Sequence, residues 1–410
     1  MSRIRRTNFV VASLVCVGLI FRTVLIELDR GFAIALAGGD APRFHSLALK
    51  GSESLGDAFS LISSGGSLLY AGIVALAYWT VDLRQPEVAK WLNVLASCAT
   101  LWVTMRCVRH VSTSVQSQTS NKFIVATTWT FAAPVVIYSV LLLRESFVSL
   151  LISVGLLFTL RSLEPQSQGR EQKWLAASMT ATIFASLLHI GSAAFLFYPA
   201  YRLVRTSNIS PSRLFLLACG IAGLAFSSPL WADKVLVSTG ASSITELSAG
   251  TVVDASSRFR SGGSAYTVPF SSSGNPVLRL ISAGILGPMY FLLTPFPWSV
   301  RGVFDVAAGL SGWITFWVIT RALWFLKGSR HLFTLAIPLV LFALTFSLAT
   351  SNAGTAFRHR TKPWPVLVLA YCATNSARTR DDSIELEYPE GIVISGTVDI
   401  AVAVEGNPPK

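Results

Sequence analysis

MSRIRRTNFVVASLVCVGLIFRTVLIELD, residues 1–29, begins with a basic cluster and then runs apolar, with Arg22 the one charge before Glu27. A helix needs about 20 such residues to cross a hydrocarbon core of roughly 30 Å. No small-x-small cleavage site follows at the usual distance, so the segment reads as a retained first transmembrane helix rather than a signal peptide. Its arginines place the N-terminus in the cytoplasm.

The rest of the chain agrees with that solvent. Of its 410 residues 52% are hydrophobic and only 13% charged, with a mean hydropathy of +0.57. Soluble domains carry nearer a quarter of their residues as charge. Windows long and apolar enough to span fall near 8–28, 67–81, 91–108, 122–143, 145–160, 174–200, 213–231, 277–296, 302–326, 331–350 and 363–376. In lipid each segment must pair its own backbone groups, so the expectation is an all-α polytopic membrane protein of about 11 transmembrane helices. Two pairs of windows, 122–160 and 277–326, are nearly continuous.

Three stretches interrupt the pattern. Residues 29–66 and 232–276 read as long loops marked by Gly and Ser. The stretch 377–410, starting ARTRDDSIELEYPEG, reads as a polar C-terminal tail in which IVISGTVDIAVAV suits a short hairpin. A crossing at every window puts both loops outside, but it also exports the basic segments 106–121, 161–173 and 321–331. That conflicts with the tendency of Lys and Arg to stay inside. Either one window fails to cross, or some of these arginines serve an external anion.

The formal net charge of +12 is dispersed between apolar runs. That suits membrane flanks and anionic headgroups, and no aromatic–basic alternation of a nucleic-acid binder is present. The five cysteines show no CxxC pair, so neither a zinc cluster nor a disulfide framework is expected. Walker A, GxGxxG, HExxH and GxSxG patterns are missing as well. No fixed-period repeat or matched pair of interrupted helices suggests an inverted-repeat transporter.

Four stretches carry residues capable of chemistry. GGDAPRFHSLA, residues 38–48, holds Asp40 just after the first span. A carboxylate there can act as a general base, or it can cap a helix whose first turn takes Pro42. PVVIYSVLLLRES, residues 134–146, sets Arg144 and Glu145 within apolar sequence. They either face a cavity or mark a turn, and as neighbours on a helix they do not pair with each other. SNAGTAFRHRTKPWP, residues 351–365, holds Arg358, His359, Arg360 and Lys362, whose arginines suit phosphate oxygens or anchor a cytoplasmic end beside an interfacial Trp364. SSRFRSGGSAYTVPF, residues 256–270, offers Arg258, Arg260 and Tyr266 for sugar or phosphate. His189 lies mid-span, where an interhelical hydrogen bond is the simpler reading.

The order of GGDAPRFHSLA, WLNVLASCATLWVTMRCVRH, PVVIYSVLLLRES and NAGTAFRHR resembles the membrane glycosyltransferases of the GT-C type. It resembles in particular bacterial relatives of the dolichyl-phosphate-mannose protein mannosyltransferases, and it also looks like the polymerases of surface polysaccharides. The resemblance covers mainly residues 1–160. It implies a GT-C-like domain over 1–376 in the bacterial inner membrane, an inverting transfer from a polyprenyl-phosphate or pyrophosphate sugar to a glycan acceptor, and polysaccharide-assembly proteins as neighbours. It also implies Asp40 as the catalytic base or acceptor-activating group, with Arg144, Glu145, Arg258, Arg260, Tyr266, Arg358 and Arg360 around the substrate. No nucleotide site or metal ligand set is implied, although the family leaves room for a divalent cation. Asp40 is followed by Ala41, whereas many relatives pair two acids at this place. The competing expectation is a flippase or transporter of lipid-linked oligosaccharide, and a non-catalytic scaffold is a third.

Overall fold

The computed structural model describes residues 3–32, 40–164, 169–205, 266, 268–271, 273, 275–326, 330–350 and 353–386. Every regular element among them is helical. The first ten helices are α1 (Arg3–Leu28), α2 (Asp40–Gly51), α3 (Leu55–Ser63), α4 (Gly66–Val81), α5 (Pro86–Val111), α6 (Val115–Phe131), α7 (Ala133–Val140), α8 (Glu145–Ser162), α9 (Glu171–Leu188) and α10 (Phe197–Arg205). A 3₁₀ segment, Ile190–Leu196, joins the last two. Then follow α11 (Pro276–Ile281), a π turn, α12 (Gly287–Leu293), α13 (Val303–Trp324), α14 (Arg330–Ala349), α15 (Ala353–Arg360) and α16 (Trp364–Leu386).

Ten of the eleven windows coincide with helical segments, and the eleventh, 213–231, lies outside the described residues. Eleven spans do not follow. Among the described residues four helices are long and apolar enough to cross a membrane: Thr7–Leu28, Pro86–Val111, Glu145–Ser162 and Val303–Trp324. The bent pair α6–α7 makes a fifth if counted as one span. Its axis turns by 57° where Pro134 lacks an N–H and crowds the preceding turn. Arg22 steadies this break from α1, donating to the Trp129 carbonyl at 2.9 Å and to Ser139 Oγ at 2.8 Å while stacking on the Trp129 ring.

Named contacts fix which helix ends lie together. Lys90 at the start of α5 is buried against Asp29, just after α1, at 3.0 Å from its carboxylate. At the other end of the bundle Asn8 of α1 shares a groove with Arg109 of α5 and Gln118 of α6. The segment from 29 to 86 therefore leaves and returns at one end, and α4, only 16 residues long, makes no net crossing. That corrects the reading in which every window crosses. His110 of α5 then meets Glu164 after α8 at 2.8 Å, and Arg321 of α13 bonds Asn375 of α16 at 3.2 Å. Ser117 of α6 meets Ser376 at 2.7 Å, and Tyr201 packs on Phe333 near the start of α14. The basic segments 106–121, 161–173 and 321–331 thus all begin and end at the end of the bundle that holds the start of α1.

Two loop assignments also change. Residues 40–63 of the expected first loop form α2 and α3, because Pro42 suits a first turn and Ser54 caps α3 by accepting from Asp57 N at 3.1 Å. The expected tail begins later, since α16 continues to Leu386. The hairpin stretch lies outside the described residues, as does most of 232–276.

Candidate active site

The end of the bundle opposite the basic segments gathers four of the sequence candidates, Asp40, Arg144, Glu145 and Arg358, on three pieces of chain. Asp40 is the first residue of α2, where a carboxylate is favoured by the unpaired N–H groups and helix dipole. Between α7 and α8 the chain breaks over Leu141–Arg144, and Glu145 begins α8. Such a break leaves carbonyls without helical partners. Asn93 of α5 donates its two amide N–H groups to those of Leu141 and Leu143, the latter at 2.9 Å, and its Oδ1 accepts from Tyr70 Oη at 3.2 Å. Its amide thereby sets the position of the residues that follow. The third piece is α15, whose end delivers Arg358, and the turn after it delivers Lys362.

Arg358 joins the two carboxylates. Its Nη1 donates to Asp40 Oδ2 and its Nε to Glu145 Oε1 at 2.6 Å. Lys362 Nζ lies 3.3 Å from the same Glu145 oxygen and donates to His359 Nδ1. The Asp40 side chain is 48% exposed and that of Glu145 only 1%. One carboxylate can therefore meet a substrate, and the other is a buried counter-charge. A buried ion is costly unless paired, and here Glu145 has two cations. Its second oxygen, Oε2, is buried without a hydrogen-bond partner.

Arg144 completes the set. Its Nη1 donates to the Leu188 carbonyl at 2.8 Å, which ties α8 to the end of α9, while its buried Nε has no partner. Three cations thus face two carboxylates, an arrangement with capacity for an added anion. For Arg358, burial pulls its pKa down but Glu145 and Asp40 outweigh that and hold the guanidinium protonated. Burial lowers the Lys362 ammonium to about 7, against the attraction of Glu145. His359 is held well below the ordinary imidazole range by burial and by Lys362 and Arg358, so it stays neutral.

A small cavity touches Glu145 of this cluster, and a larger groove adjoins that cavity. A hydroxyl-lined space of about 10 Å³ touches Glu145, Tyr138, Ser146 and Ser149, close to the volume of one water. It shares Val135, Thr361 and Trp364 with a groove of about 660 Å³ between α6–α7 and α13–α16. That groove is lined chiefly by apolar side chains, and its rim residues Phe131, Leu310, Ile314 and Trp317 are exposed.

The remaining candidates go elsewhere. Arg360 spends its guanidinium on main-chain carbonyls of Leu292 at 2.5 Å, Thr294 at 2.8 Å and Ala356 at 3.3 Å. It closes the broken end of α12 rather than offering donors to a substrate. Gly312 of α13 permits this, since a Cβ there would collide with both Arg360 Nη1 and the Leu292 carbonyl. Tyr266 donates to the Thr350 carbonyl at 2.8 Å, an anchoring contact. Arg258 and Arg260 lie outside the described residues. Trp364 is buried rather than interfacial. His189 makes no hydrogen bond at Nδ1; its ring lies against Phe346 and His359, at 4.9 and 5.0 Å. Next to Asp40, Arg43 is exposed and His45 turns away to bond Tyr78 Oη at 2.9 Å.

Lys362 and Asn93 are the residues that sequence reasoning left out of the site. Lys362 follows FRHR after one intervening residue, Thr361, so its spacing was a usable signal. Asn93, a single amide in an apolar span, gave only a weak one. Among the described residues no group of three His, Cys, Asp or Glu side chains gathers to hold a metal ion. Comparisons with protein-family models, curated proteins and solved structures find no match to this chain.

Proposed function

We propose that this protein transfers or polymerises sugars from a polyprenyl-phosphate or pyrophosphate donor to a glycan acceptor, as the resemblance to GT-C glycosyltransferases implies. The observation that carries the reading is the cluster itself. A half-exposed carboxylate, Asp40, sits beside a cationic group of Arg144, Arg358 and Lys362 at the mouth of a helical bundle. The apolar groove that shares Val135, Thr361 and Trp364 with the small cavity at Glu145 suits the isoprenoid part of such a donor.

In the proposed step the donor phosphate takes over Arg358, which frees Asp40. The Asp40 carboxylate accepts the proton of the acceptor hydroxyl as its oxygen bonds to the anomeric carbon. The bond from that carbon to the phosphate oxygen breaks, and the departing phosphate keeps the electron pair. Arg358 and Lys362 stabilise the charge that grows there. Asp40 then returns its proton to water. With the basic segments gathered at the start of α1, the positive-inside rule assigns that end to the cytoplasm and the cluster to the outer face of the bacterial membrane.

A transporter of the same donor would set its charges near the bilayer midplane on paired broken helices, whereas this cluster lies at one end of the bundle. The test is reconstitution in liposomes with a polyprenyl-phosphate sugar and a glycan acceptor. New glycosidic product is expected. Donor that crosses the bilayer unchanged, with no product, would assign the chain to transport instead.

A further inference from the structure

A second charged site lies at the opposite end of the bundle and takes no part in the chemistry above. A groove of about 450 Å³ opens there between the start of α1, the end of α5 and the start of α6. On α5, Trp102, Arg106 and Arg109 follow one another at helical spacing and so share a face. Arg106 lies about 20 Å further along α5 than Asn93, which borders the carboxylate cluster. The two sites are therefore separate.

The lining is graded along the bundle axis. Arg109 is outermost on α5, Arg106 comes next, and Met105 and Trp102 lie deeper, with Val11 of α1 facing them and Lys122 supplied by α6. None of the three cations is within ion-pair distance of a carboxylate among the described residues. Arg109 Nε donates to His110 Nε2 at 3.2 Å, Arg106 stacks over the Trp102 ring at 4.9 Å, and both side chains line the groove. Trp102 is 58% exposed, as an indole at a membrane–water interface is.

We infer that this groove binds the phosphate headgroup of an anionic membrane phospholipid, with the acyl chains against Trp102, Met105 and Val11. Charge selects the headgroup: three cations with no carboxylate in ion-pair distance among the described residues match a lipid with net negative charge and not a zwitterionic one. The apolar inner half selects a lipid over a free phosphate ion, since an ion would leave that half without a partner. Basic recesses between helices at a cytoplasmic face hold headgroups by this chemistry in general. The inference does not depend on the transferase reading.

The experiment is native mass spectrometry of the full-length, delipidated protein in detergent, titrated with dioleoyl-phosphatidylglycerol or dioleoyl-phosphatidylcholine. The anionic phosphatidylglycerol is expected to bind preferentially. Replacing Arg106, Arg109 and Lys122 together by Gln should weaken it on the order of 100-fold, at about a fivefold loss for each basic residue. A second variant, Arg170→Gln with Lys173→Gln, removes exposed charge at the same end but outside the groove and should leave binding unchanged. Millimolar inorganic phosphate should not compete. Equal binding of the two lipids overturns the inference without recourse to any variant. So does displacement by inorganic phosphate, wild-type affinity in the triple variant, or an equal loss in the control.

Discussion

Arg358 donates to Asp40 across 318 residues of sequence, and the same guanidinium holds the buried Glu145 at 2.6 Å. One side chain thereby ties the start of α2 and the start of α8 to the end of α15. In the proposed reaction it also passes from a carboxylate to a phosphate.

Removing that guanidinium should cost both fold and binding. Arg358→Ala leaves Glu145 with Lys362 as its one direct ion-pair partner, and breaking a buried pair from one side costs about 3–5 kcal/mol. Arg358→Lys keeps the charge but not the fork that reaches both carboxylates, so its loss should be smaller. Thermal unfolding in detergent measures the first effect and donor binding the second. Wild-type values for Arg358→Ala in both would remove Arg358 from the site.

The arrangement of helix ends makes a prediction about sidedness. In a cysteine-free background, Thr113→Cys lies at the end that holds the start of α1, and Ser54→Cys at the opposite end; both native residues are exposed. A membrane-impermeant maleimide should label them from opposite sides. Labelling of both from one side would contradict the account of α4 as a helix without net crossing.

Lys90 is the pin for that arrangement, with its ammonium fully buried against Asp29. Lys90→Met should lower stability by about 3–5 kcal/mol, and the double change with Asp29→Leu should recover part of it, because no buried charge then remains at that contact. A double variant no better than the single would show that the pair is not the source of the loss.

Much of this was legible in the sequence. The apolar windows found the helices, because lipid demands continuous runs. Asp40, Arg144, Glu145 and Arg358 stood out because ionisable groups are expensive beside such runs. Which of them meet was not legible. Arg358 and Arg360 are two residues apart on one short helix, so they point to different faces, and nothing in FRHR says which face meets Glu145. The direction of crossing was hidden too, since α4 is apolar like a span but its ends are placed by a distant contact, Lys90 with Asp29.

Lys362 should make donor binding depend on pH. Its ammonium titrates at about 7 in the fold, lowered by burial against the attraction of Glu145. Below that pH it adds a charge for the donor phosphate, and above it does not. Donor affinity should therefore fall severalfold between about pH 6 and 8, and Lys362→Met should flatten this fall. Parallel profiles for the two proteins would sink the assignment. Stability moves in the opposite sense. The unfolded lysine titrates near 10.5, so between about 7 and 10.5 the unfolded chain binds one more proton, and raising the pH through that window favours the fold.

The central claim is that the Asp40 carboxylate accepts the acceptor's proton, and Asp40→Asn tests it most directly. The amide keeps the size of the side chain and can still accept from Arg358, but it cannot take up a proton. In liposomes supplied with a polyprenyl-phosphate sugar and a glycan acceptor, the variant should bind donor while its transfer rate drops about 10²–10⁴-fold, the usual worth of a general base. Glycan product formed at the wild-type rate would contradict the account.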